Sequence, residues 1–290
     1  MFVERLAQSC YNDPVPGGRS RARSGGSAKA QLLTVLGELV LPHGGRAWTR
    51  SLVDALGLLG IEERNARQAA ARTADQGFIA GEKVGRRVRW VLTPEARELL
   101  TTGTRRIYDF GAAAATWDGQ WLVVLCPVPE DQRGKRQHLR RRLEFAGFGF
   151  LSATVALSPH VDRQHLALDV LKRLELVDTA VVFRAEEVAL PARGALWQRA
   201  WDLDGLAAQY RAFEHDVRSR TPRSTTEQTA ALLALVHAWR RFPFEDPEIP
   251  DELLPRRWPG HAAKALFDEC HARWSPAAVA WFLERERASG

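Results

Sequence analysis

The sequence predicts an α+β, multi-domain chain: a winged helix-turn-helix first, a ferredoxin-like βαββαβ domain in the centre and a helical domain last. Three observations predict it. Residues 27–93 carry three helical periodicities followed by a glycine-turn hairpin. Residues 113–190 alternate apolar runs with amphipathic ones in the order β-α-β-β-α-β. From about residue 203 the pattern is helical to the end.

The elements follow in order. Residues 1–26 ("NDPVPGGRSRARSGGS" and its flanks) have no periodicity and read as a disordered arm. Ser27 caps a helix whose stripe is Leu32, Leu33, Leu36, Leu39 and Val40. "PHGG" ends it near Pro42. Thr49 is placed to cap a second helix carrying Leu52, Ala55 and Leu56, and Gly57 and Gly60 bracket the next turn. A third helix spans about 62–76 and Gly77 closes it. Glu62 stands at its cap position, where Ser, Asp or Asn is usual. "FIAGEKVGRRVRWVLT" reads as two strands around a glycine turn. Thr93-Pro94-Glu95 opens a connector helix over 94–112.

In the centre, "QWLVVLCPV" (120–128) is a continuous apolar run, the pattern of a strand buried on both faces. A basic helix over about 131–145, two short strands in "GFGFLSATVALS", a helix near 163–176 and the strand "TAVVFRA" complete the domain. The C-terminal domain, 191–290, is read as helices over 203–220, 225–242 (capped by Thr225), 261–273 and 276–287. A proline-punctuated loop, "FPFEDPEIPDELLPRRWPG", lies between the second and third of them.

Charge separates the first part from the rest. The 290 residues have a formal net charge of +6. Residues 1–106 hold 17 Lys and Arg against 10 Asp and Glu, so the excess belongs to the N-terminal third. That is the footprint of a surface that meets nucleic acid. No apolar stretch approaches the roughly 20 residues of a membrane span. "MFVERLAQSC" puts charges where a signal peptide needs an apolar core, so a cytoplasmic protein is expected. Cys10, Cys126 and Cys270 form neither a disulfide framework nor a metal motif.

The third helix carries the chemistry. At about 100° per residue, Ala66, Ala69, Ala70 and Thr73 share one face, small enough for close packing. Arg64, Gln68, Ala71 and Asp75 share the opposite one. Arg64, Asn65 and Gln68 stand near the N-terminal end, where a recognition helix reads guanine and adenine edges. Arg67 and Arg72 flank that face and reach phosphates. Arg86, Arg87 and Arg89 of the hairpin can contact phosphate or enter the minor groove, and Arg50 is a further phosphate candidate. The competing reading is a solvated helix with Glu63–Arg67 as an i, i+4 pair.

Three stretches carry a family resemblance. They are "ERNARQAAARTADQGFI…GRRVRWVLT", "WDGQWLVVLCPVPE…RRRLEFAGFGFLS" and "FPFEDPEIPDELLPRRWPG…LFDECHARWSP". In these the chain resembles the PaaX family of transcriptional repressors, bacterial regulators of phenylacetic acid catabolism. The resemblance covers nearly everything after residue 27. It implies a winged-helix domain, a central domain similar to that of CRISPR-adaptation nucleases and a helical C-terminal domain. It also implies a homodimer that represses an operator and is released by an aryl-CoA thioester, typically phenylacetyl-CoA.

Two stretches are then candidates for the thioester. Trp258 beside Arg256 and Arg257 offers a ring and paired guanidinium groups, or else anchors its loop in a core. "RGKRQHLRRRLEFAG", with Arg140, contacts CoA phosphates, extends a DNA contact or is the solvated face of an amphipathic helix. The alternative class is a Mg²⁺-dependent nuclease on the central domain. It needs a carboxylate at the end of the first strand, where Cys126 and Pro127 stand, and Glu130 and Asp131 come later. Cys270 and His271 are adjacent in a helix and diverge by about 100°, so they make no nucleophile–base pair. No catalytic residue, metal site or cofactor is expected.

Overall fold

The computed structural model describes residues 27–111, 116–186 and 199–290. The arm expected over 1–26 lies outside them. The chain forms two compact units, one of Met1–Phe110, Phe213–Pro243 and Ala263–Gly290, the other of Gly111–Ala212 and Phe244–Ala262. The expected division ran consecutively along the chain, with 191–290 apart. The compact units instead share that stretch between them. The reason is packing: the helix Thr225–Trp239 is buried against the N-terminal helices, while Leu203, Ile249 and Leu253 are buried with Trp121 and Leu157.

In the first unit, α1 (Ala28–Val35) starts as expected, with Ser27 Oγ accepting from Ala30 N at 3.3 Å. It runs on through a π turn, Leu36–Val40. α2 (Thr49–Leu58) is not capped by Thr49: Trp48 holds the cap position, and Thr49 Oγ1 donates to Val88 O at 3.0 Å. The hydroxyl is drawn off by a strand that the sequence did not place beside it. α3 (Glu63–Asp75) starts at Glu62 without a side-chain cap bond and ends at Gly77, whose φ of 76° favours glycine.

β2 (Ile79–Val84) and β3 (Arg87–Leu92) pair antiparallel from Ile79↔Leu92 to Val84↔Arg87, closed by Gly85 (φ 61°) and Arg86. A third strand, β1 (Arg46–Trp48), pairs with β3 and gives the order β1-β3-β2. Three residues are too few for a periodicity of two to register, so the sequence missed it. α4 (Pro94–Asp109) opens with Pro94 after the Thr93 cap.

β4 (Gln120–Leu125), α5 (Arg133–Phe145), β5 (Gly149–Phe150), β6 (Val155–Ser158), α6 (Gln164–Arg173) and β7 (Val181–Glu186) build the second unit. The sheet order is β5-β6-β4-β7, antiparallel throughout. Leu122 and Val124 face Leu139 and Leu143 of α5 and Ala167 and Leu171 of α6. On the other face Trp121 and Leu157 pack with Leu203, Ile249 and Leu253. β4 was expected to be buried along both faces, but Leu125 at its end is exposed, as are its neighbours Val181 and Phe183. The packed residues cover the sheet only at the Trp121 end.

α7 (Leu203–Ser219) and α8 (Thr225–Trp239) follow. Ser224, not Thr225, caps α8, because Glu227 three residues on completes a capping box with it. A short α9 (Phe242–Glu245) precedes the loop. α10 runs unbroken over Pro259–Ser289 with Pro276 inside, where two helices were expected. Proline removes one helical hydrogen bond. Phe267, Cys270 and Trp274 before it and Ala278, Trp281 and Phe282 after it are all buried, which offsets the loss.

In the first unit α8 packs on α1 and α2. Trp239 is fully buried, stacked on Phe267 at 4.8 Å, with Phe110, Phe213 and Phe242 around it. Glu38 of the π turn accepts from the Tyr108 hydroxyl and, at 2.8 Å, from His271 Nε2. Burial and then the Glu38 charge push the Tyr108 phenol far up, so it stays a donor.

His237 of α8 lies 3.1 Å from Thr34 Oγ1 of α1. Burial, then the charge of Arg240, pull its imidazole from 6.5 down to about 3. The unfolded chain takes up a proton near its ordinary value and the folded chain does not. Its stability is therefore present above that value and falls as pH falls. Between about pH 8 and about pH 5.5 this group should remove about 1.4 kcal/mol. Urea midpoints of the wild type and His237→Gln at both pH values check this. An equal fall in both would refute it.

Candidate nucleic-acid interface

α3 presents the expected two faces. Ala66, Ala69, Ala70 and Thr73 are buried, so the helix sits close to its neighbours. It packs on α1 and α2. Arg64, Asn65, Gln68, Ala71 and Arg72 are exposed. No hydrogen bond or ion pair engages the side chains of Arg64, Asn65, Gln68 or Arg72 among the described residues. Their donors and acceptors are therefore free to meet base edges or phosphates.

The other predicted cations differ. Arg67 donates twice to Glu63 Oε1, at 2.8 and 2.9 Å, as the solvated-helix reading expects. This hydrogen bond and charge hold the Glu63 carboxyl below its ordinary range, and the charge of Arg50 adds to them. Arg50 is thus felt at the start of α3 although it belongs to α2. It pairs with Asp54 at 2.9 Å and stays mostly exposed. Arg89 is half-buried, bonded to Glu82 Oε2 at 3.0 Å and laid over the Trp48 ring at 5.5 Å. Its Nε is buried with no hydrogen-bond partner among the described residues. Arg87 Nη1 donates to Ser289 O and Gly290 O. Arg86, in the turn, is exposed with no such partner among the described residues. Exposed Arg46 and Lys83 were missed. For Lys83 the signal was available, since it lies in the hairpin with the arginines that were named, but Arg46 belongs to the strand too short to register.

Family models match the chain in three consecutive pieces: "PaaX-like protein" over residues 27–96, "PaaX protein central Cas2-like domain" over 114–196, and "PaaX-like protein C-terminal domain" over 201–284. The chain belongs to the PaaX family. It is 29% identical over 276 residues to the "Transcriptional repressor PaaX" of Escherichia coli (strain K12), covering 91% of this chain and 85% of that one. Among solved structures it is similar to "Uncharacterized protein Rv0674 from Mycobacterium tuberculosis", with a TM-score of 0.62 and 22% identity, covering 88% of this chain and 98% of that one. That likeness concerns the fold alone.

In the second unit of this PaaX-family chain, the thioester candidates are engaged to different degrees. Arg140 donates to Glu144 Oε1 at 2.8 Å and lies over the Phe150 ring at 4.8 Å. Arg136 bonds Glu130 and Lys135 pairs with Glu175, so much of the basic helix is internally neutralised. Trp258 meets Tyr210 edge to face at 6.0 Å and packs on the Trp121 cluster, as a loop anchor does. Arg256 and Arg257 are exposed, Arg257 with a left-handed φ of 61°. After β4, Cys126 is buried, and burial pushes its thiol up. Glu130 and Asp131 are exposed in a 3-10 turn, and no cluster of metal-ligating side chains occurs among the described residues.

Proposed function

We propose that this PaaX-family chain is a DNA-binding transcriptional repressor and not an enzyme. In this reading residues 27–93 are a winged helix-turn-helix with α3 as recognition helix, 94–112 a connector, 113–190 a ferredoxin-like domain and 191–290 a helical domain. The observation that carries it is the outer face of α3. Arg64, Asn65, Gln68 and Arg72 stand exposed and partner-free among the described residues, on a helix whose other face is small and buried. Arg and Gln there match guanine and adenine edges in the major groove. Arg72, Arg86, Arg50 and Arg67 supply phosphate contacts, the last two after releasing Asp54 and Glu63. A sheet order of β5-β6-β4-β7 supports the ferredoxin-like reading.

The operator belongs to an aromatic, phenylacetate-like catabolic operon, and the protein acts on it as a homodimer in the bacterial cytoplasm, on the nucleoid. An aryl-CoA thioester such as phenylacetyl-CoA releases it. Arg140, Arg256, Arg257 and Trp258 are the residues assigned to that effector. A thioester offers phosphates, adenine and ring, and so more contacts whose strength can differ between two conformations than a free acid does.

Fluorescence anisotropy on DNA from upstream of the protein's own operon, against a random duplex, tests this. Arg64→Ala and Gln68→Ala should lose about 1–3 kcal/mol on the specific site only. Arg72→Ala and Arg86→Ala should weaken both duplexes and make the salt dependence shallower by about one counterion each. Phenylacetyl-CoA, and not phenylacetate, should release the specific duplex. Identical behaviour of the two mutant classes would refute the recognition helix, and release by the free acid would refute the effector.

A further inference from the structure

We propose that Arg87 is a positioning residue, tied to residues 289–290 so that the hairpin is held from behind while Arg86 meets the phosphate. The proposal rests on the DNA-binding reading above. Arg87 opens β3 opposite Val84, next to the turn. Its Nη1 donates to Ser289 O at 2.7 Å and to Gly290 O at 2.8 Å. Both hydrogens of that nitrogen are thereby used. A second link reaches the same end of α10, where Glu286 Oε1 accepts from Trp48 N at 3.0 Å. Trp48 stands opposite Arg89 across β1 and β3, and a Cβ added to Gly290 would lie 3.2 Å from Trp48 Nε1. Residues 286–290 therefore hold the small sheet at two points, one on β1 and one beside the hairpin turn.

β1 pairs with β3 only over Arg89–Val91, so Arg87, Val88 and the turn form a two-stranded tip that its own pairing orders only marginally. The main-chain oxygens of Ser289 and Gly290, bonded to one nitrogen of Arg87, supply an outside hold. Arg86 is left as the partner-free cation of the turn among the described residues. An ordered hairpin loses less freedom on binding, so the tie should strengthen DNA binding although it touches no DNA.

The salt dependence of binding separates positioning from phosphate contact. A phosphate-binding arginine removes about one counterion from the slope of log K against log salt when it is lost, and a positioning one leaves the slope unchanged. Arg87→Ala, deletion of residues 289–290 and the two combined should be measured on a random-sequence duplex across a salt series. Each single change should weaken binding by about fivefold, the combination by about the same fivefold, with the wild-type slope throughout. Glu286→Ala should weaken binding in the same direction and serves if the deletion does not fold. A slope shallower by about one in Arg87→Ala overturns the proposal, as do multiplying effects or an unchanged affinity. In each of those cases wild-type binding stands, and with it the DNA-binding reading. A wild type that binds no duplex removes that reading, and the proposal falls with it.

Discussion

Trp239→Ala is expected to lower stability by about 3–5 kcal/mol, a large part of the roughly 5–15 kcal/mol that a folded domain has. Trp239 is fully buried and stacks on Phe267 at 16°. Its indole Nε1 donates to Ile107 O of α4 at 3.1 Å. Truncation opens a cavity among Phe110, Phe213, Phe242 and Phe267, which come from four separate stretches of chain. Such a cavity cannot close by the shift of one element. DNA binding should therefore weaken at the temperature where the core loosens, because α1 and α2 share this core with α8. Thermal unfolding followed in parallel with anisotropy checks both. A loss under about 1 kcal/mol, or a C-terminal transition that leaves DNA binding intact, would show an independent C-terminal domain instead.

Glu38→Ala is the second large effect, about 2–4 kcal/mol. Glu38 is nearly buried, and its carboxylate can only accept, so the facing His271 Nε2 carries the hydrogen. The Tyr108 hydroxyl fills the other oxygen. Removing the carboxylate takes the shared acceptor from two donors of α4 and α10, which lie 3.0 Å apart and can recover only the one bond between themselves. Changing all three groups together restores the balance: Glu38→Leu with His271→Leu and Tyr108→Phe should be less destabilised than Glu38→Ala alone. A chemical-denaturation cycle over the three positions measures the coupling. Additive effects would mean that the three groups do not act as one network.

How much could be read beforehand depends on how local the cause is. The Ser27 cap, the small face of α3, the turn at Gly85 and the proline start of α4 each follow from a few neighbouring residues, and the structure has each of them. The outer face of α3 was legible for the same reason, because 100° per residue separates Arg64 and Gln68 from Ala66 and Ala69. Thr49 was misjudged as a cap because its hydroxyl takes the partner that folding brings, and Thr225 because the Ser224–Glu227 capping box starts the helix one residue earlier.

The sequence by itself determined the order of most elements, the basic N-terminal third, and which side chains of α3 face outward, because these depend on backbone periodicity and composition. The tertiary structure alone decided which of the predicted cations remain free. The side chains of Arg64, Arg72 and Arg86 meet no partner among the described residues, whereas Arg89 is taken by Glu82 and Trp48, and Arg87 by main-chain oxygens 202 and 203 positions away. It also decided that α8 and most of α10 belong with the N-terminal helices. An apolar stripe states that a helix must be covered and not by what. The choice of cover is made by complementary shape between residues far apart in sequence, and no local pattern carries it.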